Sequence, residues 1–240
     1  MANLRAILFD KDGTLFDFMA TWGRWTGALL DDLAGGDPAR TAALALALGY
    51  EPVQGSFAPD SPVIAHTPME IAEALLPHLP GASPMALVAR MNALSARAHL
   101  VEAAPLRPLL SGLREDGFRI GLVTNDAEEP ARAHLDQSGV AEFFDFVAGS
   151  DSGHGAKPAP GPLLAFARAM RLRPEEVLMV GDSRHDLVAG RAAGMRTAGV
   201  LTGLASAADL APMADVVLPD IGHLPRWLDR ANLASAEALS

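Results

Sequence analysis

The 240-residue chain has no cysteine. That excludes disulfides, thiol nucleophiles and Cys-ligated zinc or iron–sulfur centres. Lysine is almost missing as well. Only Lys11 and Lys157 stand among the 19 basic residues, the rest being arginine. No apolar run approaches the roughly 18 residues that cross a bilayer. The opening residues, interrupted by Asp10 and Asp12, lack a signal-peptide pattern. The expectation is a cytoplasmic protein with no membrane segment. Net positive charge is lacking too. A formal charge of −10 gives no sequence-independent attraction to nucleic acid or anionic membrane. Internal repeats and low-complexity segments are absent.

Half of the residues are hydrophobic and a fifth are charged, a globular composition long enough for one or two domains. Ala6-Ile7-Leu8-Phe9 shows no polar alternation and reads as a strand buried on both faces. Asp10-Lys11-Asp12-Gly13-Thr14-Leu15 follows it. From about Phe18 to Ala104 the pattern is helical. One amphipathic helix carries Trp22, Trp25, Leu29, Leu30 and Leu33 and stops at Gly35-Gly36. A second opens at Asp37-Pro38. Residues 50–66, with three prolines, read as a loop. Thr67-Pro68-Met69-Glu70 has the form of a capping box. Ser83-Pro84 opens a fourth helix expected to reach about Ala103.

Beyond Pro105, strand and helix alternate. Helices are expected over Leu109–Asp116, Glu128–Ser138, Pro162–Met170 and about Asp186–Ala193. Strands are expected at Arg119–Val123, Phe146–Ala148, Val177–Val180, near Thr197–Leu201 and at Val216–Leu218. Residues from about Ala234 are expected to be loose. This rhythm implies an α/β fold, a Rossmann-like parallel sheet with helices on both faces. The first strand belongs to that unit although some 85 residues intervene. The domains are therefore 1–17 with 105–240 as the α/β core, and 18–104 as an inserted helical cap.

Several strand ends carry residues that handle a phosphate or a metal. The first ends in Asp10 and Asp12, the second in Thr124-Asn125, and the fourth in Gly181-Asp182-Ser183-Arg184-His185-Asp186. Lys157-Pro158 lies in a glycine-rich loop between them. Oxygen donors favour a hard cation, and Mg²⁺ takes one or two carboxylates plus phosphate and water. Asp10 and Asp182 suit that part. Lys157 offsets the remaining charge, and Thr124 offers a hydroxyl donor. A carboxylate nucleophile forms an aspartyl-phosphate. A second carboxyl two residues away protonates the leaving alcohol and then activates water. Singly, each feature has a plain alternative. Asp-Gly is a common turn, Thr124-Asn125 and Gly181-Asp182-Ser183 serve as helix caps, and lysines are mostly solvated. Four of them in this order, each at a strand end or loop, favour a site.

Phe9-Asp10-Lys11-Asp12-Gly13-Thr14-Leu15, Val123-Thr124-Asn125, Lys157-Pro158 and Gly181–Asp186 together resemble the four motifs of the haloacid dehalogenase superfamily. Gly149-Ser150-Asp151-Ser152 through Lys157-Pro158-Ala159-Pro160 is most similar to its phosphoglycolate phosphatase-like hydrolases. The resemblance covers about residues 4–17 and 105–220. It implies Asp10 as nucleophile and Asp12 as general acid and base. Thr124, Asn125 and Lys157 are then the phosphate-binding candidates. It implies Mg²⁺ held by Asp10, the Asp12 carbonyl oxygen and Asp182, with Asp186 in or near the metal shell. The implied activity is a phosphatase acting on a small phosphorylated metabolite, a phosphoglycolate-like monoester.

Other branches fit less well. Dehalogenase members lack the second acid, and Asp12 is present. Phosphonate-cleaving members need a cap lysine, and none lies between Lys11 and Lys157. A sugar phosphomutase remains the alternative, with Arg24, Arg40, Arg90, Arg97 and His66 as possible sugar contacts. A non-catalytic, phosphate-binding regulatory protein is a further alternative, but it does not require an Asp10–Asp12 pair. Substrate choice is expected in the cap. Trp22, His66 and the loop Gln54–Thr67 are the candidates, and helical spacing also allows Trp22 and Trp25 to be cap core.

Overall fold

The computed structural model describes residues 4–237. Strand β1 (Ala6–Phe9) is buried at all four positions and lies in the middle of a sheet. Its side chains divide by the two-residue period of a strand. Ile7 and Phe9 join the apolar layer on one face of the sheet, while Ala6 and Leu8 join the layer on the other. Such double burial is what an unbroken apolar run requires.

The insert follows β1. It opens with a single π-helical turn, Met19–Gly23, that leads into α1 (Arg24–Ala34). Helix α2 (Pro38–Ala47) is capped by Asp37, whose carboxylate accepts from the N–H groups of Ala39 and Arg40. Two short strands, β2 (Tyr50–Glu51) and β3 (Ser56–Phe57), form an antiparallel hairpin. Helices α3 (Pro68–Leu75) and α4 (Pro84–Ser95) complete the insert. An apolar cluster of its own, built on Trp25, Leu29, Leu44, Ala72, Leu75 and Met91, draws every member from residues 18–98.

The sheet then resumes. Helix α5 (Leu106–Glu115), β4 (Arg119–Val123), α6 (Glu128–Gln137), β5 (Phe146–Ala148) and α7 (Gly161–Met170) follow in order. After them come β6 (Val177–Gly181), α8 (Arg184–Ala193), β7 (Arg196–Val200), α9 (Ala207–Leu210), β8 (Val216–Leu218) and α10 (Leu224–Glu237). The strand order is β5-β4-β1-β6-β7-β8, with every pairing parallel. Leu106 and Leu110 of α5, Leu135 of α6 and Leu228 of α10 pack on one face; Leu163 and Phe166 of α7 and Ala189 of α8 pack on the other. This is a Rossmann-like α/β fold.

Four details differ from the sequence reading. Residues 50–66 contain the β2–β3 hairpin. Cross-strand packing of Tyr50 on Phe57, with ring centroids 5.1 Å apart, supports it. Helix α4 stops at Ser95 instead of continuing to about Ala103. The chain there must return beside its own exit: Asp17 N–H donates to the Val101 carbonyl, and Ala103 N–H donates to that of Leu15. Helix α5 starts at Leu106 rather than Leu109, where the Glu102 carboxylate accepts from the Leu106 N–H. The segment from Ala234 is helical as far as Glu237, and 238–240 lie outside the described residues. Among the described residues, no helix is long and apolar enough to cross a membrane.

Candidate active site

In an open parallel sheet, ligands bind beyond the carboxyl ends of the strands. Asp10, Thr124 and Asp182 stand at the ends of the neighbouring strands β1, β4 and β6. After Asp10 the chain folds tightly on itself. The N–H groups of Leu15 and Phe16 donate to the Lys11 carbonyl, and Gly13 N–H donates to that of Phe16. Gly13 adopts φ +76°, and a Cβ there would lie 2.4 Å from Asp182 Oδ2. A Cβ on Gly203 would lie 1.7 Å from the same atom. Two glycines thus cradle the Asp182 carboxylate, and no side chain fits in their place.

Lys157 reaches across from its loop. Its Nζ donates to Asp10 Oδ1 at 2.5 Å, to Asp186 Oδ1 at 2.6 Å and to the Val123 carbonyl at 3.0 Å. Asp186 sits in the first turn of α8, where the Ser183 N–H and hydroxyl donate to its other oxygen. The Asn125 amide is occupied as a strut. Its Oδ1 accepts from Lys157 N–H, while Nδ2 donates to the carbonyls of Lys157 and Ala65. That amide keeps no donor free for a phosphate. Thr124 Oγ1 accepts from Asp126 N–H, which leaves its own hydroxyl proton to donate.

Carboxylate oxygens of Asp10, Asp182 and Asp186, all buried, lie within 4.8 Å of one another. Burial pushes the Asp10 carboxyl up to about 7; Lys157 opposes that rise, and Asp186 and Asp12 add to it. Burial, Asp186 and Asp10 hold Asp182 well above the usual carboxylate range. Burial pulls Lys157 down, but Asp10 and Asp186 outweigh it and its pKa is raised. One ammonium does not balance three buried carboxylates. An all-oxygen donor set this close fits a hard divalent cation. Asp12 lends no side-chain oxygen to that cluster. Its Oδ2 lies 3.2 Å from Lys11 Nζ, and its Oδ1 is buried with no hydrogen-bond partner.

The sequence pattern of the haloacid dehalogenase-like hydrolases matches residues 4–194. The chain belongs to that family. A pyrophosphatase PpaX from Bacillus mycoides (strain KBAB4) is 38% identical over 121 residues, which cover 50% of this chain and 56% of that protein. The chain thus spans about half the length of the curated relatives it matches, or less. Two solved structures share the fold. One is a "predicted phosphoglycolate phosphatase" from Haemophilus somnus 129pt, with TM-score 0.71 and 18% identity over 94% of this chain and 98% of that one. The other is a HAD phosphatase from Thermococcus onnurineus, with TM-score 0.66 and 24% identity, again over 94% and 98%.

In this haloacid dehalogenase-like hydrolase a second buried cluster flanks the first. Lys11 has no exposed surface. Its Nζ donates to Asp126 Oδ2 at 2.6 Å and to His134 Nδ1 at 3.2 Å. With Nδ1 accepting, the His134 proton is assigned to Nε2, which lies 2.6 Å from the Ser95 carbonyl. Ser95 Oγ donates in turn to Asp126 Oδ2. Burial, then Lys11, lowers the His134 pKa. Burial lowers Lys11, but Asp12 and Asp126 outweigh it and the net shift is upward. The end of α4 is thereby tied to the loop that carries Asp12. The sequence reading assigned none of these residues a role. A lysine wedged between two aspartates in a chain with only two lysines was the available signal.

Between insert and sheet, above the carboxylates, lies a cavity of about 60 Å³. Trp22 and His66 both line it. Trp22 is buried edge-on against Trp25, with centroids 4.8 Å apart, and Lys11 Nζ lies 5.6 Å from its ring centroid. His66 is exposed at the rim. Arg24, Arg40, Arg90 and Arg97 are all exposed, and none lines the cavity.

Proposed function

We propose that this haloacid dehalogenase-like hydrolase is a Mg²⁺-dependent phosphatase of small phosphate monoesters. Asp10 is the nucleophile and Asp12 the general acid and base. The observation that carries the reading is the buried set of Asp10, Asp182, Asp186 and Lys157, with the unpartnered oxygen of Asp12 on the same cavity. Asp10, the Asp12 carbonyl and Asp182 would hold the metal, with Asp186 beside them, and the metal would supply charge stabilisation at the phosphoryl oxygens.

The residues divide the remaining work. Lys157 holds the Asp10 carboxylate at a fixed place and adds positive charge where the phosphoryl group must sit. Thr124 Oγ1 and the N–H of Asn125 donate to phosphoryl oxygens. Asp10 attacks phosphorus, the ester P–O bond breaks, and protonated Asp12 gives its proton to the departing alkoxide. Asp12, now a carboxylate, takes a proton from water as that water attacks the aspartyl-phosphate. Inorganic phosphate leaves and Asp10 is regenerated. Residues 18–104 act as a cap that excludes water during the first step.

The mutase alternative asks for basic cap groups at a sugar; of its five candidates the four arginines stand outside the cavity and His66 lines it at the rim. The test of the phosphatase reading is Asp10→Asn. It should abolish phosphate release from para-nitrophenyl phosphate while circular dichroism stays unchanged. Wild-type turnover by that variant overturns the assignment.

A further inference from the structure

We infer that this phosphatase site takes esters whose leaving group is uncharged and apolar, and discriminates against leaving groups that carry a second negative charge. The inference rests on the monoester phosphatase reading and specifies its substrate class.

Two observations carry it. The first is the wall that faces the leaving group. Phe18, Trp22, Trp25, Val63, Ile71 and Met91, all buried, form the cap side of the cavity. The polar groups among them, Asn92, Ser95 and the indole N–H groups of Trp22 and Trp25, are neutral, and Trp25 Nε1 is buried with no hydrogen-bond partner. His66 is the one titratable group that the cap contributes. It stands exposed at the rim, near enough to Glu70 to add to the hold of Thr67 on that carboxyl below its ordinary range. A carboxylate or second phosphate pressed against this wall loses its hydration and meets no cation. An aliphatic or aromatic body gains from the same contact, at about 25 cal/mol per Å² removed from water.

The second observation is the charge balance. Asp10, Asp12, Asp126, Asp182 and Asp186 all line the cavity. The ammonium groups that face them are Lys157, bonded to Asp10 and Asp186, and Lys11, bonded to Asp126. With Asp12 carrying the proton that it donates, four carboxylates against two ammonium groups leave two negative charges, which a divalent cation offsets. The bound phosphoryl group then makes the site anionic, with no further cation facing it among the described residues. Further negative charge is repelled at short range in a medium of reduced dielectric.

The experiment compares alkyl phosphates that differ in the charge of the leaving group. Phosphate release by the wild-type protein is measured at saturating Mg²⁺ with isobutyl phosphate, 2-phosphoglycolamide, 2-phosphoglycolate and inorganic pyrophosphate. The expected order of kcat/KM is isobutyl phosphate, then the amide, then the two charged compounds. The first should exceed 2-phosphoglycolate by about tenfold or more. Ile71→Lys, which places an ammonium on the apolar wall, should narrow or reverse that ratio. Equal or faster turnover of 2-phosphoglycolate or pyrophosphate by the wild-type protein overturns the inference and leaves the phosphatase reading standing. No release from any of the four overturns both.

Discussion

Lys11 carries a full charge with no exposed surface, which a protein tolerates only where partners replace the lost water. Asp126, Asp12 and His134 are those partners. Replacing Lys11 with methionine keeps most of the volume and strips the charge. Asp126 and Asp12 would then be left unbalanced, and breaking a buried pair in this way costs roughly 3–5 kcal/mol. Urea unfolding of Lys11→Met should show a lower midpoint with an unchanged slope. Lys11→Arg should not restore it, because a planar guanidinium does not fit a slot shaped for a compact ammonium. A midpoint within error of wild type would show the cluster to be dispensable. This is also where the sequence was hard to read. Asp10, Thr124 and Asp182 each end an apolar run, so their strand ends were visible locally. Lys11 meets Asp126 and His134 across 115 and 123 residues, and no local pattern announces a contact of that span. Asn125 raises a related problem. Its residue type suits a phosphate, but its amide is used on Lys157 and Ala65, which only the folded loops reveal.

At the scale of an element, helix α3 and the loop before it place the cap wall. Thr67 closes a capping box in which Glu70 N–H donates to Thr67 Oγ1 at 3.3 Å and Thr67 N–H donates to Glu70 Oε2 at 2.7 Å. Ala65, two residues earlier, accepts from Asn125 and so joins that loop to the end of β4. Thr67→Ala removes the cap and should cost about 1 kcal/mol of stability. It should also loosen the 62–66 segment, raising KM several-fold with a smaller change in kcat. Thermal melts and steady-state kinetics on the same preparation check both parts, and an unchanged KM would separate the loop from substrate binding. This box was legible because two residues, Thr67 and Glu70, carry it locally. The parallel sheet was legible for a similar reason, since unbroken apolar strands alternating with helical periods leave few other architectures. The end of α4 was not. Ala96 to Ala104 has acceptable helix formers, and the helix stops only because the chain must pair with its exit at Leu15 and Asp17. Tertiary pairing overrides propensity there.

For the whole molecule, the concentration of carboxylates at one sheet edge links folding, metal and pH. In the metal-free protein Asp10 has a pKa of about 7 against an ordinary value of 3.8, chiefly through burial. The folded state therefore holds a proton that the unfolded chain releases. The stabilisation from that proton is fully present below 3.8 and is lost as pH rises through about 7. A cation at Asp10, Asp182 and Asp186 must displace it. Between pH 7 and pH 5 one proton displaced from a group with pKa about 7 weakens metal binding by roughly 2.3 kcal/mol, the slope approaching about 1.4 kcal/mol per unit at the acid end. Buried His134 and His185 have lowered pKa values. Their contribution runs the other way, growing as pH rises, but it is shared by metal-free and metal-loaded protein and largely cancels between them. The increment in Tm on adding a fixed concentration of Mg²⁺ should therefore be small at pH 5, rise through pH 6 and 7, and level off near pH 8. Paired melts with Mg²⁺ and with chelator, taken across that range, measure it directly. Asp182→Asn should flatten the profile by removing a ligand, while a distant surface change such as Arg173→Gln should leave it intact. An increment that does not vary with pH would mean that the cation binds without displacing protons from this cluster, and the assignment of the metal to Asp10 and Asp182 would fall.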